Sequence, residues 1–167
     1  MTTAETEVVR SVRTPIGVVY DWAAGESSSR HLAGLVEGRL IGERCPSCDQ
    51  VYFPSRACCP RCGVAFDGVA IQLADHGTVT RFCIVNVPFL GQTIKIPFVC
   101  AWILLDGSDI AFSHLIQECE PTDVHTGMRV EAVWKPRDHW GASLENIAHF
   151  RPSGEPDALH ESYAGKL

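Results

Sequence analysis

Apolar residues recur along this chain with two different periods, and the change of period divides it. Leu32, Leu35, Val36 and Leu40 fall at helical spacing within RHLAGLVEGRL, which predicts one helix with a single apolar stripe. Ser27, Ser28 and Ser29 just before it offer N-caps. Gly34 and Gly38 each weaken an isolated helix by about 1 kcal/mol, so this helix needs a packing partner. Residues 40–44 continue as a short strand, and residues 51–54 make its return. From Val69 the texture turns to strands. Residues 71–73 lead in, and residues 77–87 alternate well enough for a curved strand. Residues 98–105 (FVCAWILL) are a nearly continuous apolar run and read as a buried strand. Residues 110–116 return across a turn at 106–109, residues 129–135 alternate through Val130, Ala132 and Trp134, and residues 145–150 close the series. Five short strands in meander order, with a longer joint between the third and fourth, predict an OB-type barrel.

Between helix and strands lies CPSCDQVYFPSRACCPRC. Cys45/Cys48 and Cys59/Cys62 form two C-P-x-C turns, each aiming two thiolates at one point, and two such turns facing each other make a tetrahedral cage. Proline after the first cysteine of each pair fixes φ for the tight turn. Iron would accept the same ligands. Zinc suits four thiolates with no open coordination position best, and such a closed site is structural. A thioredoxin-like redox pair lacks its βαβ context, and disulfides lack an oxidising compartment. Cys58, beside Cys59, could replace it in a shifted register, but Cys59 restores the symmetric spacing. Tyr52 and Phe53 are expected to pack over the metal.

The expected fold class is therefore mainly β: an N-terminal helix and a rubredoxin-like zinc ribbon, followed by a five-stranded OB-fold barrel. The expected divisions are residues 1–40 (extension and helix), 41–66 (ribbon), 67–150 (barrel) and 151–167, an exposed tail rich in proline and glycine.

Composition narrows the functions. The chain has 167 residues and net charge −6. Residues 67–150 carry ten acidic and five basic side chains, and an acidic body repels a polyphosphate backbone. A nucleic-acid-binding OB module, the alternative reading, would expect a basic groove with interleaved aromatics. No apolar run is long enough to span a bilayer, and residues 1–12 show no signal-peptide core, so a cytoplasmic chain is expected.

No nucleophile–base pairing emerges. Cys83 and Cys100 sit in apolar strands as small hydrophobes, and Cys119 lies among carboxylates that blunt a thiol. His114 reads as a core or rim histidine, and no phosphate loop or hydrolase motif occurs. Two segments remain unassigned. Trp22 and the helix stripe either cover their own domain or dock on another chain. Residues 88–97 (PFLGQTIKIP) read as a barrel-closing loop or, preferably, as an exposed apolar loop that meets a partner or ligand.

The run GLVEGRLIGERCPSC, then VYFPSRACCPRCG, GTVTRFCIVNVPFLGQ, FVCAWILLDG and VWKPRDHWGASLENIAHF resembles the zinc-ribbon/OB-fold accessory proteins that accompany thiolase-like acyl-CoA enzymes, closest to the bacterial degradative type. The resemblance covers residues 28–150. It implies a non-catalytic subunit in a heterotetramer or larger assembly with a thiolase or thiolase-fold aldolase that holds the catalytic residues. It also implies acyl-CoA near the interface, no nucleic acid and no membrane. Lys95, Arg81, Lys135 and Arg137 are then the candidates to line a CoA channel. Cys58 departs from the family pattern, where a non-thiol is more usual.

Overall fold

The structure, a computed structural model, describes residues 10–166. The first nine residues of the expected extension, and with them most of the segment read for a signal peptide, lie outside the described residues. Helix α1 (Gly25–Val36) leads into a three-stranded antiparallel sheet ordered β2–β1–β3, from β1 (Leu40–Arg44), β2 (Val51–Tyr52) and β3 (Ala70–Leu73). Five strands then close a barrel: β4 (His76–Val85), β5 (Phe98–Leu105), β6 (Phe112–Ile116), β7 (Arg129–Trp134) and β8 (Ile147–Pro152). Their order is β4–β5–β6–β8–β7, with β7 pairing back to β4 and β6 running parallel to β8. The expected meander therefore holds only for the first three strands. After β6 the chain crosses over to pair with β4, and the last strand fills the remaining gap. Residues 71–73, expected to lead into the barrel, instead pair with β1.

α1 departs from its expected caps and stripe. It begins at Gly25, so the three serines lie inside its first turns. Its buried positions are Ser27, His31, Gly34 and Leu35; Leu32 is half-buried and Val36 is 49% exposed. The stripe is rotated toward small and polar residues because the helix lies tight on β1. A Cβ on Gly34 would stand 2.5 Å from Ile41 Cγ1, so the glycine that weakens the helix is what lets it dock. At the other end, Arg39 N–H donates to Gly34 O and Gly38 N–H to Leu35 O, with Gly38 at φ +73°. This is the paired bonding of a Schellman stop, which needs a left-handed residue at that point. A Cβ there would also meet the Trp140 ring at 2.5 Å.

Asn146 joins the helix to the barrel. Its buried side-chain amide donates to Leu35 O (2.9 Å) and Gly141 O (2.7 Å), and its Oδ1 accepts from Gly141 N–H (2.9 Å). It sits in a 3₁₀ turn (Leu144–Asn146), so the final strand begins at Ile147 and not at 145. Asn146→Ala leaves buried polar groups unpaired and is expected to cost about 1–3 kcal/mol, read as a lower chemical-denaturation midpoint.

One apolar core runs through all parts. Leu35 of α1, Leu40 of β1, Val51 and Phe53 of the ribbon, and Phe112, Ile116, Ile147 and Phe150 of the barrel belong to the same buried cluster. Phe53 meets Phe112 edge-on at 5.0 Å between ring centres and His31 at 5.1 Å. Polar contacts follow the same seam: Val51 N–H donates to Asp109 Oδ2 (2.8 Å), and Asp109 N–H donates to Val51 O (2.9 Å). Residues 151–166 are mostly exposed, but β8 extends through Pro152. Beyond it a short helix α2 (His160–Tyr163) buries Tyr163 against Gly127.

Candidate functional site

Two backbone turns build the thiol cage. Cys45 N–H donates to Gln50 O and Asp49 N–H to Cys45 O; Cys59 N–H donates to Val64 O and Gly63 N–H to Cys59 O. Each turn ends in a positive-φ residue, Asp49 (60°) or Gly63 (69°), which reverses the chain just after the second thiol of each pair. The sulfurs of Cys45, Cys48, Cys59 and Cys62 all lie within 4.8 Å of one another. Cys45 and Cys59 are fully buried, whereas Cys58 is exposed and outside the cluster, bridged to Ala65. The structure thus groups Cys59, and not Cys58, with the other three sulfurs.

The cage's electrostatics call for a cation. Burial opposes charge on Cys59, but the Tyr52 hydroxyl and the amides of Cys62 and Arg61 outweigh it and bring this thiol down to about 6. The Gln50 amide favours a thiolate at Cys48, yet desolvation and the three neighbouring thiols push it up to about 12. The protein alone thus favours a thiolate at Cys59 and opposes one at Cys48; a divalent ion would reverse the second preference. Four soft donors converging on one point, two of them fully buried, fit structural zinc. Tyr52 packs over the cage as expected, its hydroxyl 3.3 Å from Cys59 Sγ. Phe53 does not: successive side chains point to opposite sides, and it enters the barrel core instead.

Beside the ribbon, Arg30 of α1 binds the fully buried Glu43 of β1 through two of its nitrogens, both to Oε1. Arg30 also bonds Glu26 at 2.6 Å. This ion pair pins α1 to the ribbon sheet.

The four cations suggested for a CoA channel do not meet. Lys95 lines a cleft of about 420 Å³ formed by residues 94–99 and 116–121. Lys135 lines a neighbouring cleft of about 510 Å³ with Ile94, Cys100, His114 and Leu144. Arg81 lies exposed on β4, opposite Trp102. Arg137 stacks over the Trp140 ring at 5.5 Å. Ile94 borders both clefts, so the loop before β5 stands between Lys95 and Lys135.

The remaining candidates for chemistry lack partners. Burial lowers the His114 pKa, and the ring sits edge-on to Phe112 and Phe150 with Nδ1 accepting from Leu115 N–H. Burial, then Asp123 and Glu120, raises the Cys119 thiol. Cys83 and Cys100 are not core hydrophobes: Cys83 is exposed and Cys100 only partly buried. Among the described residues, no helix is long and apolar enough to cross a membrane.

Two apolar segments singled out in the sequence, around Trp22 and at residues 88–97, remain exposed, and the first extends further than Trp22 alone suggested. Residues 10–24 carry no helix or strand. Along them Val12, Ile16, Val18, Val19, Tyr20 and Trp22 are all exposed, Trp22 by 63%. Val87, Phe89 and Leu90 make a second exposed group in the loop after β4.

Cage and barrel together define a zinc-ribbon/OB-fold chain. Residues 32–67 match the family described as the ChsH2 rubredoxin-like zinc ribbon domain, and residues 70–135 match the ChsH2 C-terminal OB-fold domain. A DUF35 domain-containing scaffold protein of Methanocaldococcus jannaschii is 38% identical over 96 residues, spanning 58% of this chain and 67% of that one. The chain belongs to this ChsH2/DUF35 family. A probable enoyl-CoA hydratase alpha subunit of Thermomonospora curvata is 28% identical over 100 residues, which are 60% of this chain but only 30% of that longer protein. Among solved structures, the Ltp2-ChsH2(DUF35) aldolase aligns with TM-score 0.56 at 23% identity, covering 75% of this chain and 94% of the other. A DUF35 protein of unknown function from Sulfolobus solfataricus aligns with TM-score 0.56 at 17% identity, covering 77% and 84%. Both likenesses concern the fold.

Proposed function

We infer that this chain is a non-catalytic accessory subunit of a thiolase-like acyl-CoA enzyme, a thiolase or thiolase-fold aldolase that makes or breaks a carbon–carbon bond. The observation that carries the reading is the exposed apolar strip at residues 10–24, whose large apolar side chains are all more than half exposed among the described residues. Exposed apolar surface of this extent on a small protein marks a protein-binding site. The names of the relatives, a DUF35 domain-containing scaffold protein, an Ltp2-ChsH2(DUF35) aldolase and a probable enoyl-CoA hydratase alpha subunit, support the accessory role.

In this reading Cys45, Cys48, Cys59 and Cys62 ligate the zinc, which holds the ribbon and takes no part in turnover. The partner supplies the reacting groups, in a heterotetramer or larger assembly in the cytoplasm, where thiol ligands stay reduced. Acyl-CoA lies near the interface. Lys95 and Lys135, each in a cleft beside the loop before β5, are the cations best placed to meet its phosphates; Arg81 and Arg137 are secondary. The nucleic-acid reading gains nothing from this arrangement.

The tagged chain recovered from its source cells is expected to bring down a thiolase-fold protein in fixed stoichiometry. Val19→Asp with Trp22→Asp is expected to lose that partner while retaining one zinc per chain. A lone, well-behaved monomer from the same cells would contradict the reading.

A further inference from the structure

Cys83 on β4 and Cys100 on β5 stand directly opposite each other. Past the bulge between Val79 and Arg81, the register is regular from Arg81 opposite Trp102 to Val85 opposite Phe98. Opposed residues in an antiparallel pair have Cα atoms about 4.5–5.5 Å apart and project to the same side. A disulfide needs a Cα separation of about 4.4–6.8 Å, so the strand pairing already holds both cysteines within bonding range. The side they share is the outer one. Phe82 and Ile84 turn inward against the core, and Val99 and Ala101 are buried, whereas Cys83 is exposed, Cys100 partly so, and Trp102 is 40% exposed. Neither cysteine belongs to the metal cage.

We propose that Cys83 and Cys100 form a reversible dithiol–disulfide site that exchanges with low-molecular-weight disulfides of the glutathione type. Cys83, the exposed partner, attacks as its thiolate one sulfur of the small disulfide. That S–S bond breaks, and one small thiolate leaves with the bonding electrons. Cys100 then gives its proton to solvent, and its sulfur attacks the Cys83 sulfur of the mixed disulfide, expelling the second small thiolate. Two protein thiols are oxidised, and one small disulfide is reduced to two thiols. Burial, together with the neighbouring Cys83, raises the Cys100 thiol, which suits it to the second step and not the first. The new bond joins the two strands that carry the loop bearing Val87, Phe89 and Leu90. The site stands independently of the accessory-subunit reading.

The test treats the zinc-loaded full chain with glutathione disulfide, followed by acid quench, alkylation and tryptic mapping. Cys83 falls on the peptide 82–95, and Cys100 falls with Cys119 on 96–129. The expected product is these two peptides cross-linked, with zinc retained and the link reversed by dithiothreitol. Cys119→Ser still forms the link, whereas Cys100→Ser stops at a single glutathione adduct on Cys83. The proposal is overturned if the link survives in Cys100→Ser. It is equally overturned if wild-type Cys83 and Cys100 take up separate adducts without linking, or if neither reacts at a concentration that fully modifies the exposed Cys58.

Discussion

Cys45→Ser is expected to release the zinc and unfold far more than the ribbon. Structural zinc contributes about 10 kcal/mol to small sites, more than many domains hold in total, since whole-domain stability is about 5–15 kcal/mol. The loss spreads because the ribbon has no core of its own beyond Tyr52 and the side chains around the cage. Val51 and Phe53, held in place by the same turns, belong to the barrel's cluster. Zinc content by atomic absorption and thermal unfolding of the same sample check this together. Cys58→Ser, outside the cage, is expected to keep both zinc and midpoint. Chelation should reproduce the cysteine result. Zinc retention should also fall with acidity, because binding must displace the protons that Cys48 holds up to about 12. An unchanged fold without zinc would remove the structural role assigned to the metal.

The second large effect is expected at the seam. Phe53 is 1% exposed and packs against Phe112 and His31. Truncating a buried phenylalanine to alanine costs about 3–5 kcal/mol, here where ribbon, helix and barrel meet. Phe53→Ala should therefore lower the denaturation midpoint steeply while the protein still carries one zinc per chain, since the ring does not touch the cage. A loss under about 1 kcal/mol would mean that ribbon and barrel fold as separate bodies, contrary to the shared core.

The cage was legible from the sequence because cysteine spacing encodes it locally. C-P-x-C fixes both the turn and the direction of its sulfurs, and the tie between Cys58 and Cys59 needed only symmetry to resolve. The strands of the barrel were legible for a similar reason: alternation at 77–87 and 129–135 and the apolar run at 98–105 are local signals. The crossover after β6 was not, because it depends on which edge remains unpaired once β4, β5 and β6 have formed. The helix stripe was misread in a telling way. Leucine spacing pointed to Val36, yet the buried face runs through Ser27, His31 and Gly34, because close approach to β1 selects small residues over large ones. Asn146 was invisible, since its value lies in reaching a carbonyl 111 residues away. The loop at residues 88–97 was expected to be exposed and apolar, and its Phe89 and Leu90 are exposed. Trp22 was weighed in the sequence as a docking residue, but the valines and aromatics of residues 10–24 carry no periodicity, and it is their exposure that shows how far the strip extends.

In the proposed role this chain serves a catalytic partner and performs no acyl-CoA chemistry itself. The measurement that tests it most directly is acyl-CoA carbon–carbon bond cleavage or formation, assayed with the zinc-loaded chain alone and with the chain in complex with the partner recovered from its source. No turnover is expected from the chain alone, and turnover from the complex is expected to be unaffected by serine at Cys83, Cys100 or Cys119. Turnover by the isolated chain, abolished by one of those substitutions, would contradict the proposed role.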